Sequence, residues 1–250
     1  MGSAVFNQAL STDAIAASFR QHGFAVVDGL LDGATAAALC DDIAAGAAQF
    51  SLVARTGVHP RRMLFETAPS PGKLAVLREQ LGVAQKAGLV TALHELWEPQ
   101  QEQGAIATVM RQLRAPATLA WVAQLTGVPV DTCQVSAVTR FRRGHYVDPH
   151  SDRVVKFGKR RRIAFVLFCS PDRQCGEGGN LVLLRNDGTT EISIAPRMNR
   201  LAMLDVERIH RHFVPAVTAY DGERLAIPGF YCVAPVGGIA IDVPPSGGGI

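Results

Sequence analysis

IAFVLFC, residues 163–169, is an uncharged run of aliphatic, β-branched and aromatic side chains and reads as a β-strand. Working outward, similar short runs recur at 135–141 (VSAVTRF), 181–184 (LVLL), 191–194 (EISI), 201–206 (LAMLDV), 213–219 (FVPAVTA) and 225–233 (LAIPGFYCV). Turn residues punctuate them, as in Asn186-Asp187-Gly188 and Tyr220-Asp221-Gly222. The first half differs. Residues 12–22, 33–48, 73–97 and 104–125 carry apolar residues at three and four spacing, with Pro116 marking a break, and only Phe24-Ala25-Val26-Val27 reads as a strand. Helices followed by many short strands predict an α+β chain with a mainly β core, an antiparallel sandwich or barrel buttressed by helices. One domain spans 1–250 in this reading. Residues 1–130 give helical support and the first strand, 131–234 the β core, and 235–250 a loosely ordered Gly/Pro-rich tail. The stretch 55–72 is expected to be a loop that contributes to a pocket or lid.

Composition excludes more than it names. With 48% hydrophobic residues in 250, the chain can bury a sizeable core. A net charge of +3 is far from the dense positive field of a nucleic-acid binder. Five cysteines, Cys40, Cys133, Cys169, Cys175 and Cys232, show no CxxC pair, which predicts reduced thiols and a cytoplasmic protein. No secretory leader and no membrane span is expected, because no stretch approaches the roughly 20 apolar residues a span needs.

Chemistry concentrates in Gly144-His145-Tyr146-Val147-Asp148-Pro149-His150-Ser151-Asp152. In extended backbone, residues i and i+2 share a face, so the His150 imidazole and the Asp152 carboxylate can converge on one ion. A later histidine would complete a set of two imidazoles and one carboxylate that leaves coordination positions open, as Fe(II) requires for a chelating cosubstrate and O2. His212 and His210 share strand parity and compete for that place. Arg224 follows His212 by twelve residues, so a hairpin can return its guanidinium beside the metal, where its fork of donors suits a carboxylate. An isolated HxD tripeptide is common by chance; the ordered set is what points to a site.

Residues 137–233 resemble the prolyl-4-hydroxylase-like branch of the 2-oxoglutarate/Fe(II) dioxygenases. The resemblance rests on Phe141-x-x-Gly144, Pro149-His150-x-Asp152, Arg162 before the 163–169 strand, Gly178-Gly179-Asn180-Leu181, and His212-x-Val214 with Val217 and Arg224. It favours His212 over His210 and implies a double-stranded β-helix, or jelly roll. His150, Asp152 and His212 would hold Fe(II), and Arg224 would hold the distal carboxylate of 2-oxoglutarate. O2 would convert 2-oxoglutarate to succinate and CO2 while a substrate is hydroxylated. The tyrosine that the branch often supplies from the 163–169 strand is absent, which makes Tyr146, Tyr231 and Thr139 candidate second donors, Tyr146 first among them. Arg142, His145 and Arg162 are candidate substrate residues within a basic region that also includes Arg143, Arg153, Lys156 and Lys159. Asp152 argues against halogenation, which uses Gly or Ala there. Phe230 stands where nucleic-acid demethylases carry a second arginine, so a nucleic-acid substrate is not expected. The expected substrate is small, anionic or amino-acid-like, either free or tethered; a protein prolyl hydroxylase and a non-catalytic metal-binding sensor are the competing expectations.

Overall fold

Ala115 is extended (φ −62°, ψ 143°) because the residue before a proline avoids helical backbone. It separates α3 (Ala105–Arg114) from α4 (Pro116–Thr126), whose first turn Pro116 opens. α1 (Thr12–His22) ends on Gly23, which sits at φ 77° and returns its N–H to the Phe19 carbonyl. α2 (Gly33–Ala45) is capped by Asp32, whose carboxylate accepts from the Thr35 N–H at 3.0 Å. These features belong to a computed structural model that describes residues 6–7, 9–56, 62–64, 79, 82–100, 102–156, 158–170, 178–184, 191–218 and 223–234.

Fourteen described strands form one curled antiparallel sheet. They are β1 (Phe24–Asp28), β2 (Ser51–Thr56), β3 (Arg62–Leu64), β4 (Val90–Trp97), β5 (Thr132–Val135), β6 (Val138–Phe141) and β7 (Tyr146–His150). Then come β8 (Val155–Lys156), β9 (Lys159–Phe168), β10 (Leu181–Leu184), β11 (Glu191–Ile194), β12 (Arg200–Asp205), β13 (Arg211–Val214) and β14 (Arg224–Val233). The path runs β1-β12-β9-β14-β6-β4-β7-β13-β10-β11. This is the curled mainly-β architecture, with helices, of a jelly roll.

The β9 strand shows why one sequence serves two faces. Ile163, Phe165 and Leu167 join Leu201, Met203, Ile227 and the helical residues Phe19, Leu39 and Leu113 in the large core between helices and sheet. Ala164 and Phe168 turn the other way, into the curl, with Leu181, Leu183, Leu204 and Ala226. A strand covered on both faces reads as a nearly continuous apolar run, as 163–169 does.

The first half departs from its sequence reading. Residues 90–97, expected to be helical, form β4, which pairs with β2, β6 and β7. Gly88 at φ 69° stands between the helical residues 82–86 and this strand. Burial of Val90, Ala92 and His94 alternates with period two, while Val90, Leu93, Leu96 and Trp97 also satisfy a helical spacing. The interior histidine hid the alternation. The described part of residues 1–130 thus supplies four strands as well as helices, and the 55–72 stretch contains the end of β2 and all of β3. The expected turns at 186–188 and 220–222 and the tail 235–250 lie outside the described residues.

Candidate metal centre and cosubstrate cavity

His150 and His212 are Cα partners across β7 and β13, so register alone sets the two imidazoles side by side. The register shifts between His212 and Val214. Two steps on β13 there oppose three on β7, where Asp148-Pro149 lies, and a proline with no N–H is tolerated at such an irregularity. The His150 and His212 ring centroids are 4.3 Å apart. Asp152, just beyond β7, closes the group: its Oδ2 is 3.2 Å from His212 Nε2 and its Oδ1 is 3.9 Å from His150 Nε2. One ligand atom from each of the three lies within 4.8 Å of the others. His210 is elsewhere, with its Nε2 3.0 Å from Arg153 Nη2.

Local electrostatics favours the ligating forms of Asp152 and His150. Burial raises the Asp152 carboxyl, but the His212 hydrogen bond and the His212, His150 and Arg161 charges together hold it below its ordinary value. His150 is lowered by burial and by His212, against the opposing pull of Asp152. Its Nδ1 lies 2.9 Å from the Asp148 carbonyl, an acceptor, so Nδ1 carries the proton and Nε2 presents its lone pair to the site. Two imidazoles, one largely covered carboxylate and a fixed His150 tautomer fit Fe(II).

The three residues line one side of a cavity of about 220 Å³ within the curl. Arg224, also on its wall, is opposite Phe141 on β6. Its guanidinium carbon is 4.6 Å from the Phe141 ring centroid and 5.1 Å from that of Phe168, a buried cation held between aromatic faces. Thr139 and His94 complete this end, His94 stacking on Phe141 at 5.2 Å and 8°. Gly178, at φ 93°, packs where an added Cβ would lie 2.1 Å from the Ala216 carbonyl oxygen. Gly179 has the Arg224 side chain 3.6 Å from its own added Cβ position, so the Gly178-Gly179 turn supports the Arg224 side of the cavity with backbone alone.

Five candidates, Tyr146, Tyr231, Arg142, His145 and Arg162, lie off the cavity wall. Tyr146 packs with Ala54 and Val90, and its hydroxyl donates to the Val90 carbonyl at 2.7 Å. Tyr231 is buried among the helix-facing core residues, which leaves Thr139 as the cavity-facing one of the three proposed hydroxyls. Arg142 is 47% exposed and paired with Glu223 at 2.8 Å. His145 is buried and accepts from the Arg142 N–H at 3.1 Å, shaping the turn before β7. Arg162 bridges Asp205 at 3.2 Å and Glu207 at 2.6 Å. The cause lies in β9. Tyr231 pairs with Ile163 and Cys232 with Arg161, so Arg162 is an extra residue. Such a bulge reverses the alternation and turns Arg161, rather than Arg162, into the cavity. His94 was missed because it sits in the stretch read as helical. Tyr146→Phe is expected to leave 2-oxoglutarate half-saturation unchanged while lowering stability by about 1 kcal/mol, checked by parallel ligand titration and urea unfolding.

A curled antiparallel sheet carries two imidazoles and one carboxylate on the wall of its interior cavity, a donor set that can hold a metal ion and leave coordination positions open. Residues 134–232 match the family model described as the 2OG-Fe(II) oxygenase superfamily. The PKHD-type hydroxylase Mmar10_1675 of Maricaulis maris is 32% identical over 131 residues, 52% of this chain and 57% of that protein. The aligned stretch thus spans a little over half of that relative. A Pseudomonas putida prolyl-4-hydroxylase structure matches with a TM-score of 0.62 at 15% identity, covering 89% of this chain and 98% of that one. The non-heme alpha ketoglutarate dependent epimerase SnoN from nogalamycin biosynthesis matches with a TM-score of 0.58 at 15% identity, covering 95% and 89% respectively. At these identities the two structures establish the shared fold. Among the described residues no helix is long and apolar enough to cross a membrane.

Proposed function

We propose that the chain is an Fe(II)- and 2-oxoglutarate-dependent oxygenase that hydroxylates a small substrate in the cytoplasm, a free or tethered amino acid or biosynthetic intermediate, with release of succinate and CO2. The observation that carries this reading is the placement of two cavity-wall groups: the His150, Asp152 and His212 cluster, and the buried guanidinium of Arg224 between Phe141 and Phe168. A dicarboxylate with a keto group needs such a pair, a metal for one end and a fixed cation for the other. Bound iron, 2-oxoglutarate and O2 would together supply the oxidising power that replaces a substrate C–H bond with C–OH.

The protein's own residues hold and shield. His150, Asp152 and His212 bind the metal. Arg224 fixes the distal carboxylate, and Thr139, whose hydroxyl donates to the Ala226 carbonyl at 3.1 Å, keeps oxygen lone pairs at the same end. Ala164, Val166, Leu181, Leu204 and Val214 make the rest of the wall largely apolar, which excludes water from the oxidising centre.

A peptide-directed prolyl hydroxylase is the second reading, favoured by the prolyl-4-hydroxylase fold match; turnover of proline-containing peptides in preference to amino acids would select it. The deciding experiment is anaerobic titration of the Fe(II)-loaded protein with 2-oxoglutarate, followed by single-turnover exposure to O2. A saturating visible charge-transfer band and stoichiometric succinate support the oxygenase. Folded, iron-bound protein that gives neither is a non-catalytic metal-binding protein.

A further inference from the structure

Lys159, Arg160, Arg161 and Arg162 put four cations in a row at the start of β9. Three are committed to carboxylates: Lys159 to Asp131 at 2.7 Å, Arg160 to Glu207 at 2.7 Å, and Arg162 to Asp205 and Glu207 at 3.2 and 2.6 Å. Arg153, nearby, donates to the Val206 and Glu207 carbonyls at 3.1 and 2.6 Å. Arg161 differs. The bulge turns it into the cavity, where its guanidinium carbon lies 3.6 Å from the Phe230 ring centroid and its side chain is 18% exposed. Its Nε donates to Gln134 Oε1 over a long 3.4 Å. Among the described residues, the carboxylate it approaches is Asp152, with Nη1 3.8 Å from Oδ1.

That carboxylate is the proposed metal ligand. A metal held by Asp152 would take up its charge and leave the Arg161 guanidinium, stacked on Phe230, available on the cavity wall. We infer that Arg161 is the substrate anchor: it binds the carboxylate of a small anionic substrate, whose body rests against the apolar wall beside Phe230 and brings a C–H bond to the metal. The inference rests on the oxygenase reading and narrows its substrate to acids. A planar fork on an aromatic ring suits a carboxylate through two parallel hydrogen bonds. Cosubstrate and substrate need not compete for one cation. Phe230 and Arg224 share a strand face six residues apart, about 20 Å between Cα atoms at the rise of an extended strand, so each end of the cavity has its own guanidinium. Arg55 on β2 adds a further cation to the wall.

The test uses the full chain loaded with Fe(II) and saturating 2-oxoglutarate under argon. The proteinogenic L-amino acids and benzoate are titrated against their primary amides, reading the perturbation of the charge-transfer band. At least one acid is expected to perturb the band saturably, with its amide needing about tenfold to a hundredfold more, the range for one charge-assisted hydrogen bond in a partly desolvated site. Arg161→Gln should raise the acid's half-saturation by a similar factor and leave the amide's unchanged, while Arg161→Lys recovers part of the loss. Should Arg161→Gln fail to load iron, Phe230→Leu, which removes the stacking platform and leaves Asp152 its neighbour, must weaken the acid selectively. Equal binding of acid and amide, no acid that perturbs the band, or full acid affinity in the variants overturns the anchor. A wild-type protein that gives no band before any acid is added overturns the oxygenase reading itself, and the anchor with it.

Discussion

Asp152→Ala is expected to abolish 2-oxoglutarate decarboxylation and to weaken Fe(II) binding by more than about a hundredfold, beyond the 10–100-fold that losing a partner outside the ligand set costs. Asp152 is the anionic member of a three-residue cluster whose other members are imidazoles. Without it an incoming dication meets two neutral donors and the Arg161 guanidinium, which has lost the carboxylate that lay 3.8 Å away. The alanine also removes the carboxylate oxygen that lies 3.2 Å from His212 Nε2 and orients that imidazole before a metal is bound. Metal content after gel filtration and succinate formation over time check the two parts of the prediction. Wild-type succinate formation by this variant would remove Asp152 from the metal site.

For Arg224→Ala the expected change is selective: 2-oxoglutarate half-saturation rises by about thirtyfold or more while Fe(II) loading stays near wild type. Truncating one partner of a buried charge pair costs about 2–5 kcal/mol, and each 1.4 kcal/mol is tenfold. Arg224 is buried between Phe141 and Phe168 and lies off the metal cluster. Its loss therefore removes the distal cation and leaves the ligands in place. Some stability is lost too, because the guanidinium fills space between two rings. A thermal melt separates that loss from the ligand effect, and the anaerobic titration measures the latter. An unchanged half-saturation in folded variant protein would place the distal carboxylate elsewhere.

The sequence made the second half legible for a physical reason. Its strands bury one or both faces, so apolar runs and turn residues mark them, and the i, i+2 pair of His150 and Asp152 follows from strand parity. The His150–His212 partnership was legible as a motif, while its cause, the register of β7 with β13, required the structure. What parity could not give was the place where parity fails. A single extra residue in β9 exchanges Arg162 for Arg161 at the cavity, and nothing in four consecutive cations marks which one is extra. Tyr146 lies off the cavity wall because a tyrosine near an HxD segment has two faces available, and the Val90 carbonyl accepts from its hydroxyl. Val90 is on β4, the strand whose sequence also fits a helix.

The pairing of His150 with His212 has a thermodynamic side. Each histidine belongs to a different strand, and the chain between them includes the whole of β9 to β12. An ion held by both is a cross-link that closes a loop of more than sixty residues, and such a ligand binds the folded chain far better than the unfolded one. Its binding free energy is therefore added to the stability of that side of the curl. Metal occupancy and closure of β7 onto β13 become a single linked equilibrium, so a lesion that loosens the strand pair is also a lesion in metal affinity, with no ligand altered.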